Sequence, residues 1–308
     1  YKQYYKAKTK KELTMEQIIK IASPFQRVLD ALFEIKDDFL QYNTKLEILS
    51  EQAVQTQYQL SCNDALKQGL IDANIGNNFH TMQGYNQIYK TKKGTLPLTM
   101  VNPLFHPKYG LYIHKANILG LKTLEDVKKH KHLRVLYAPF NELHIAPCDF
   151  ARSLFLLKKL ELVEVSKQTL KEKGFNLSLK DVKNIYDFEF IKTSHLLEIP
   201  QKFQDTQKYD LAINCPGMMR DSNFVRVGSI GLGKEENIEP QEDVFLSYAV
   251  ILAAKTGTET NPKVTILKQI LNDDHYRKVQ FLHGGKTKDY IMVKDQNELR
   301  AQIQKKWL

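Results

Sequence analysis

The sequence predicts an α/β fold of two lobes, each a mainly parallel sheet flanked by helices. Three observations carry this. A chain of 308 residues exceeds the usual size of one compact domain. Segments with the two-residue period of strands alternate with segments of helical period along its whole length. No apolar run approaches the roughly 18 residues that cross a bilayer. Hydrophobic residues make up 42% and charged residues 26%, which excludes disordered and collagen-like classes.

Residues 1–13 read as a basic tail, with Lys2, Lys6, Lys8, Lys10 and Lys11 close together. Ile18 to Ser23 reads as a strand, with Ser23 as N-cap and Pro24 at the first position of a helix. Phe25, Val28, Leu29, Leu32 and Phe39 give that helix one apolar face, up to about Gln41. Leu46 and Ile48 alternate as in a strand. Asn63 caps a short helix, Asp64 to Gln68, ended by Gly69, and Ile71, Ala73 and Ile75 alternate again. Tyr109 to His114 is a strand, and Thr123 with Asp126 opens a helix as a capping box. Leu133 to Pro139 is a strand, followed by a polar loop and by Phe150 to Leu160, a helix apolar nearly all round and therefore buried. Then come a strand at Phe188 and Phe190, a helix from Leu196 to Phe203, and a strand from Tyr209 to Asn214. A strand from Phe245 to Ala254 and a helix from about Pro262 to Leu271 complete the pattern. The expected lobes are 14–114 plus 255–308, and 115–254.

The net charge is +10, but its lysines are scattered and no nucleic-acid-binding signature accompanies them, so the charge points to an anionic membrane surface or simply to a lysine-rich proteome, not to nucleic acid. Cys62, Cys148 and Cys215 are too few and too dispersed for a disulfide framework or a zinc site. GLGK at 231–234 lacks the spacing of a phosphate loop, and there is neither an HExxH set nor a G-x-S-x-G elbow. The expectation is no cofactor, no metal and no catalysis. The opening YKQYYKAKTKKEL has no apolar targeting segment, so a preceding segment is expected to be missing from this sequence.

In parallel α/β sheets, ligands sit beyond the carboxyl ends of the strands, which directs the search to Asn74, Asn102, Asn141 and Asn214. NDALKQGLIDAN (Asn63 to Asn74) resembles a motif of the NlpA family of methionine-binding lipoproteins. GLYIHK with LKTLEDVK (Gly110 to Lys128), PCDFARSLFLLKKLEL (Pro147 to Leu162), YDLAIN (Tyr209 to Asn214) and LSYAVILAAK (Leu246 to Lys255) follow in the same order. The resemblance covers roughly residues 18 to 285. It implies the type II periplasmic-binding-protein fold with a ligand cleft between the lobes. It also implies a non-enzymatic binding protein of an ABC importer, a permease partner, and a lipid anchor holding the protein at the periplasmic face or cell surface. Arg152 takes the place of the arginine that contacts the ligand carboxylate, and Asn214 that of an asparagine holding the amino group. Phe79, His80 and Tyr85 correspond to the groups around the ligand side chain, in a stretch about four residues longer than the family's. Where the family has another asparagine, this chain has Val250 or a neighbour.

Physical chemistry supports the same residues. An arginine fork binds both carboxylate oxygens and stays charged when buried, which suits Arg152 to an anion unless it faces solvent or pairs with Asp149. Asn214 either points its amide into the crevice or starts a turn with Pro216 and Gly217. Phe79, His80, Tyr85 and Tyr58 offer a wall of rings with polar tips, and each alone also fits a core. His106, between Pro103 and Pro107, is a candidate cleft residue. Asn74 serves its turn or the ligand. The ligand expected is a methionine-like amino acid or another small carboxylate. A phosphonate or a vitamin-like molecule, and an enzyme or adhesin on the same scaffold, are the alternatives.

Overall fold

The structure, a computed structural model, describes residues 17–138, 148–229, 248–285 and 290–308. The basic tail, Asn141, the side chain of Asp149, the GLGK segment and the start of the strand expected at Phe245 lie outside the described residues. The chain divides into two compact units. One comprises Tyr1–Gly76, Pro97–Asn102 and Leu252–His283; the other comprises Asn77–Leu96, Pro103–Ile251 and Gly284–Leu308.

The first unit begins with β1 (Gln17–Ser23), α1 (Gln26–Ile35) and a 3-10 segment, Lys36–Tyr42, that continues the helical stretch. Next come β2 (Thr44–Ser50), α2 (Glu51–Tyr58), α3 (Cys62–Lys67) and β3 (Ala73–Asn78). β1 pairs in parallel with β2 along its full length and with β3 through Ile21 and Ala22. With β4 (Leu98–Pro107) and β10 (Val250–Lys255), the strand order is β4-β10-β3-β1-β2. Two sequence expectations are corrected here. Ser23 does not cap α1, which starts after Phe25 without a side-chain cap; its Oγ instead donates to the Ile75 carbonyl at 2.6 Å, tying β1 to β3. The cap of α3 is Ser61, which accepts from the Asp64 amide, and not Asn63. In both cases the hydroxyl that finds the nearest unsatisfied backbone group wins. Gly69, at φ +75°, follows α3 as expected.

The second unit carries a sheet of β5 (Gly110–His114), β6 (Arg134–Tyr137), β7 (Glu189–Lys192), β8 (Leu211–Asn214) and β9 (Phe224–Ser229), in the order β7-β6-β8-β5-β9. β6 runs parallel to β7 and β8, and β5 runs antiparallel to β8 and β9. Side chains alternate between two helix-covered faces. Leu111, Ile113, Val135, Leu211 and Ile213 pack with Leu156 and Leu157 of α6 (Cys148–Lys159). Tyr112, Leu136 and Ala212 pack with Phe203 and with Ile199 of α8 (Ile199–Lys202) on the other side. The Thr123–Asp126 capping box opens α5 (Leu124–Lys128) as the sequence indicated.

Several elements were not foreseen. α4 (Phe79–Tyr89) buries a face that includes Gly84 and Asn86, which blurs its period. β4 and β9 were also missed, as were β11 (Tyr290–Met292), α7 (Lys167–Lys173), α10 (Asp274–Gln280) and α11 (Gln296–Trp307). β11 pairs antiparallel with the Phe105–Pro107 end of β4. α9 (Pro262–Ile270) matches its expected range. Among the described residues, no helix is long and apolar enough to cross a membrane.

Candidate binding site

Arg152 lies on the fifth residue of α6, whose apolar neighbours Ala151, Leu154 and Phe155 drive the helix into the second unit's core. That packing carries the guanidinium inside, where Arg152 is only 4% exposed. Its central carbon lies 4.3 Å from the Tyr109 ring centroid and 4.8 Å from that of Tyr248. Nη2 donates a long bond of 3.5 Å to the Pro107 carbonyl. The Tyr109 hydroxyl meets Ser153 Oγ at 3.4 Å, fixing the ring that carries the cation. Rings against the guanidinium hold the charge through their quadrupoles and leave its in-plane N–H edges directed at oxygen acceptors.

Tyr248 links this cation to a second group. Its ring lies 5.8 Å from that of His80, and His80 stands edge-on to Phe79 at 5.4 Å and to Trp307 at 5.1 Å. Burial first, then the nearby Lys306 charge, holds the His80 imidazole down to about 3, so it is neutral at physiological pH. Arg152, Tyr109, Ser153, Tyr248, His80, Phe79 and Trp307 therefore form one connected cluster in the second unit. A fixed cation stands at one end of it, and at the other stands a wall of rings beside which the Lys306 ammonium lies, 5.5 Å from the Trp307 centroid.

The other candidates of the second unit have contacts of their own. Tyr85, buried in α4, stacks on Tyr89 at 4.5 Å. His106 is buried in β4, its Nδ1 has no hydrogen-bond partner among the described residues, and burial lowers its pKa to about 4. Asn214 ends β8 fully buried. Its Nδ2 donates to the Leu196 carbonyl at 3.0 Å and approaches Met219 Sδ at 3.6 Å, and its Oδ1 accepts from the Cys215 amide at 2.8 Å. That amide thus anchors the segments around the end of the strand.

In the first unit, the Tyr58 hydroxyl accepts from Lys20 and from Gln57, each at 3.2 Å. Asn74 donates to Asn63 at 2.9 Å and leaves its buried Oδ1 without a partner among the described residues. Asp72 accepts from the Lys20 amide at 2.8 Å. The Asn63 to Asn74 motif thus builds scaffold: Asp72 joins β1, and Asn74 joins α3.

Sequence reading missed Tyr109, Tyr248 and Trp307. Tyr248 stands within the SYAVI segment that drew attention to Val250, and Trp307 is the chain's single tryptophan, at the end of α11. Neither has a local pattern that marks it. Among the described residues, no His, Cys, Asp and Glu cluster could hold a metal.

No protein-family model matches the chain, and no curated protein sequence does. Solved structures do. The fold is that of two-lobed periplasmic substrate-binding proteins, as in an ABC transporter substrate-binding protein from Coxiella burnetii (TM-score 0.60, 15% identity, 89% of this chain and 100% of that one). The chain is likewise similar to a putative methionine-binding lipoprotein from Bacillus subtilis (TM-score 0.65, 17% identity, 92% and 100% covered). It is similar, too, to the methionine-binding protein MetQ (TM-score 0.61, 17% identity, 90% and 98% covered). The α/β class and the resemblance read from the motifs agree with this fold.

Proposed function

We propose that the chain is the substrate-binding component of an ABC importer, and that it binds a methionine-like amino acid or another small carboxylate through Arg152. The buried Arg152 guanidinium beside the Tyr109 and Tyr248 rings carries this reading. A cation at that depth, on a rigid helix, is preorganised for an anion, and a two-oxygen acceptor matches its fork. His80, Phe79 and Trp307 supply a ring-lined surface suited to an apolar ligand body. The fold's likeness to transport and methionine-binding proteins supports the same role. The chain is read as a binding protein, not an enzyme. Its partners are a permease and, through a lipid anchor, the outer face of a membrane.

Calorimetric titration of amino acids and small carboxylates into wild type and Arg152→Ala tests this. The variant is expected to lose at least about 30-fold in affinity for the ligand that binds, because truncating one side of a buried charge pair is costly. Unchanged affinity in a folded Arg152→Ala protein refutes the assignment. Turnover of the bound ligand would move the reading to an enzyme.

A further inference from the structure

We infer that the turn Lys115–Lys122 of the second unit is a membrane-contact loop that seats Ile118 and Leu119 in an anionic phospholipid surface. The turn connects β5 to α5, and its backbone is locked from within. The Lys115 amide donates to the Asn223 carbonyl at 2.8 Å, and the Ala116 amide to His114 Nδ1 at 3.0 Å. Asn117 spans the turn: its Nδ2 donates to the His114 and Leu121 carbonyls at 2.7 and 2.8 Å, and its Oδ1 accepts from the Leu121 amide at 2.7 Å. Gly120 takes φ +69°, a conformation that suits glycine, and Leu121 plugs the base of the turn into the core.

The consequence of this bracing is at the tip. Ile118 is 56% exposed and Leu119 42% exposed, adjacent on the braced turn. Lys115 and Lys122 flank them, both exposed and neither in an ion pair among the described residues. By contrast, Lys128, Lys129 and Lys131 further along are paired with Glu125, Glu161, Asp126 and Asp187. Asp221 lies near enough to Lys115 to be held low in part by its charge, without a direct ion pair. Two apolar side chains between two exposed cations match an interface with headgroup phosphates outside and acyl chains beneath. Because the turn is already ordered, contact costs little conformational entropy.

Sedimentation of the full chain with phosphatidylcholine vesicles, with and without phosphatidylglycerol, tests the inference. Wild type is expected to bind only the anionic vesicles. Lys115→Ala and Lys122→Ala should each weaken partition about fivefold, the equivalent of about 1 kcal/mol. Ile118→Ser with Leu119→Ser should weaken it further without lowering Tm, since both side chains are at the surface. The basic tail is present in every variant, so vesicle binding that these four changes leave intact belongs to the tail and overturns the inference. Absence of wild-type binding to protein-free vesicles also overturns it and points to a membrane protein as the loop's partner. Arg152→Ala should bind vesicles as wild type does, so the two assignments fail separately.

Discussion

Two histidines held neutral, the partly buried His80 and the buried His106, make the protein acid-labile in a definite window. His80 and His106 are held down to about 3 and about 4, both primarily by burial, whereas an unfolded histidine titrates near 6.5. Between about pH 6.5 and about pH 4 the unfolded chain therefore takes up protons that the folded chain refuses, and stability must fall as pH falls. At about pH 4.5 both rings are still mostly neutral in the folded state. The pH then lies about two units below the unfolded value of each, and at about 1.36 kcal/mol per unit each costs about 2.7 kcal/mol. Together they remove about 5 kcal/mol, comparable to the whole stability of many domains. The carboxylates held low by their hydrogen bonds, Glu198 foremost, begin to contribute only at the lower edge of this range. The assay is urea unfolding followed by circular dichroism at steps from about pH 7 to about pH 4.5. His106→Gln should keep only the half of the loss that belongs to His80, whatever its own stability at neutral pH. A wild-type loss below about 1 kcal/mol would show that neither ring is buried neutral, and a His106→Gln slope equal to wild type would remove His106 from the account.

Two further perturbations probe the scaffold that positions the site. Asp210 accepts from the Arg134 amide at 2.8 Å and from its Nε and Nη2, each at 2.9 Å, locking β6 to the start of β8. Asp210→Ala should cost about 2–3 kcal/mol in urea unfolding, below the range for a fully buried pair because Arg134 is 27% exposed; a cost under about 0.5 kcal/mol would mark the pair as inert. In the first unit, a Cβ at Gly76 would stand 2.8 Å from the Pro24 ring and 3.0 Å from Asn74 Oδ1, so Gly76→Ala should cost about 1–3 kcal/mol; an unchanged Tm would show that β3 yields there.

The alternating strands and helices, the buried character of α6, the Thr123–Asp126 box and the position of Arg152 were all legible in the sequence, because each rests on a local period or a short-range bond. α6 reads as buried for the plain reason that Phe150, Ala151, Leu154, Phe155, Leu156 and Leu157 leave it almost no polar face. What Arg152 touches could not be read in this way. Tyr109 and Tyr248 are 43 residues before it and 96 after it, and nothing in either neighbourhood signals a cation.

Tertiary structure alone also decided the work of the asparagines and serines. Ser23, Asn63, Asn74 and Asn214 all fit caps, turns or ligand contacts in the sequence, and short polar side chains take whichever backbone or amide group the fold leaves nearest. For Ser23 that was the Ile75 carbonyl, for Asn74 it was Asn63, and for Asn214 the Leu196 carbonyl and the Cys215 amide. By itself the sequence determined the α/β class, the order of most elements and the candidate cation Arg152, since hydrophobic period and residue chemistry are local properties. Which rings surround that cation, and that a C-terminal tryptophan closes on His80, depended on long-range packing that no local pattern encodes.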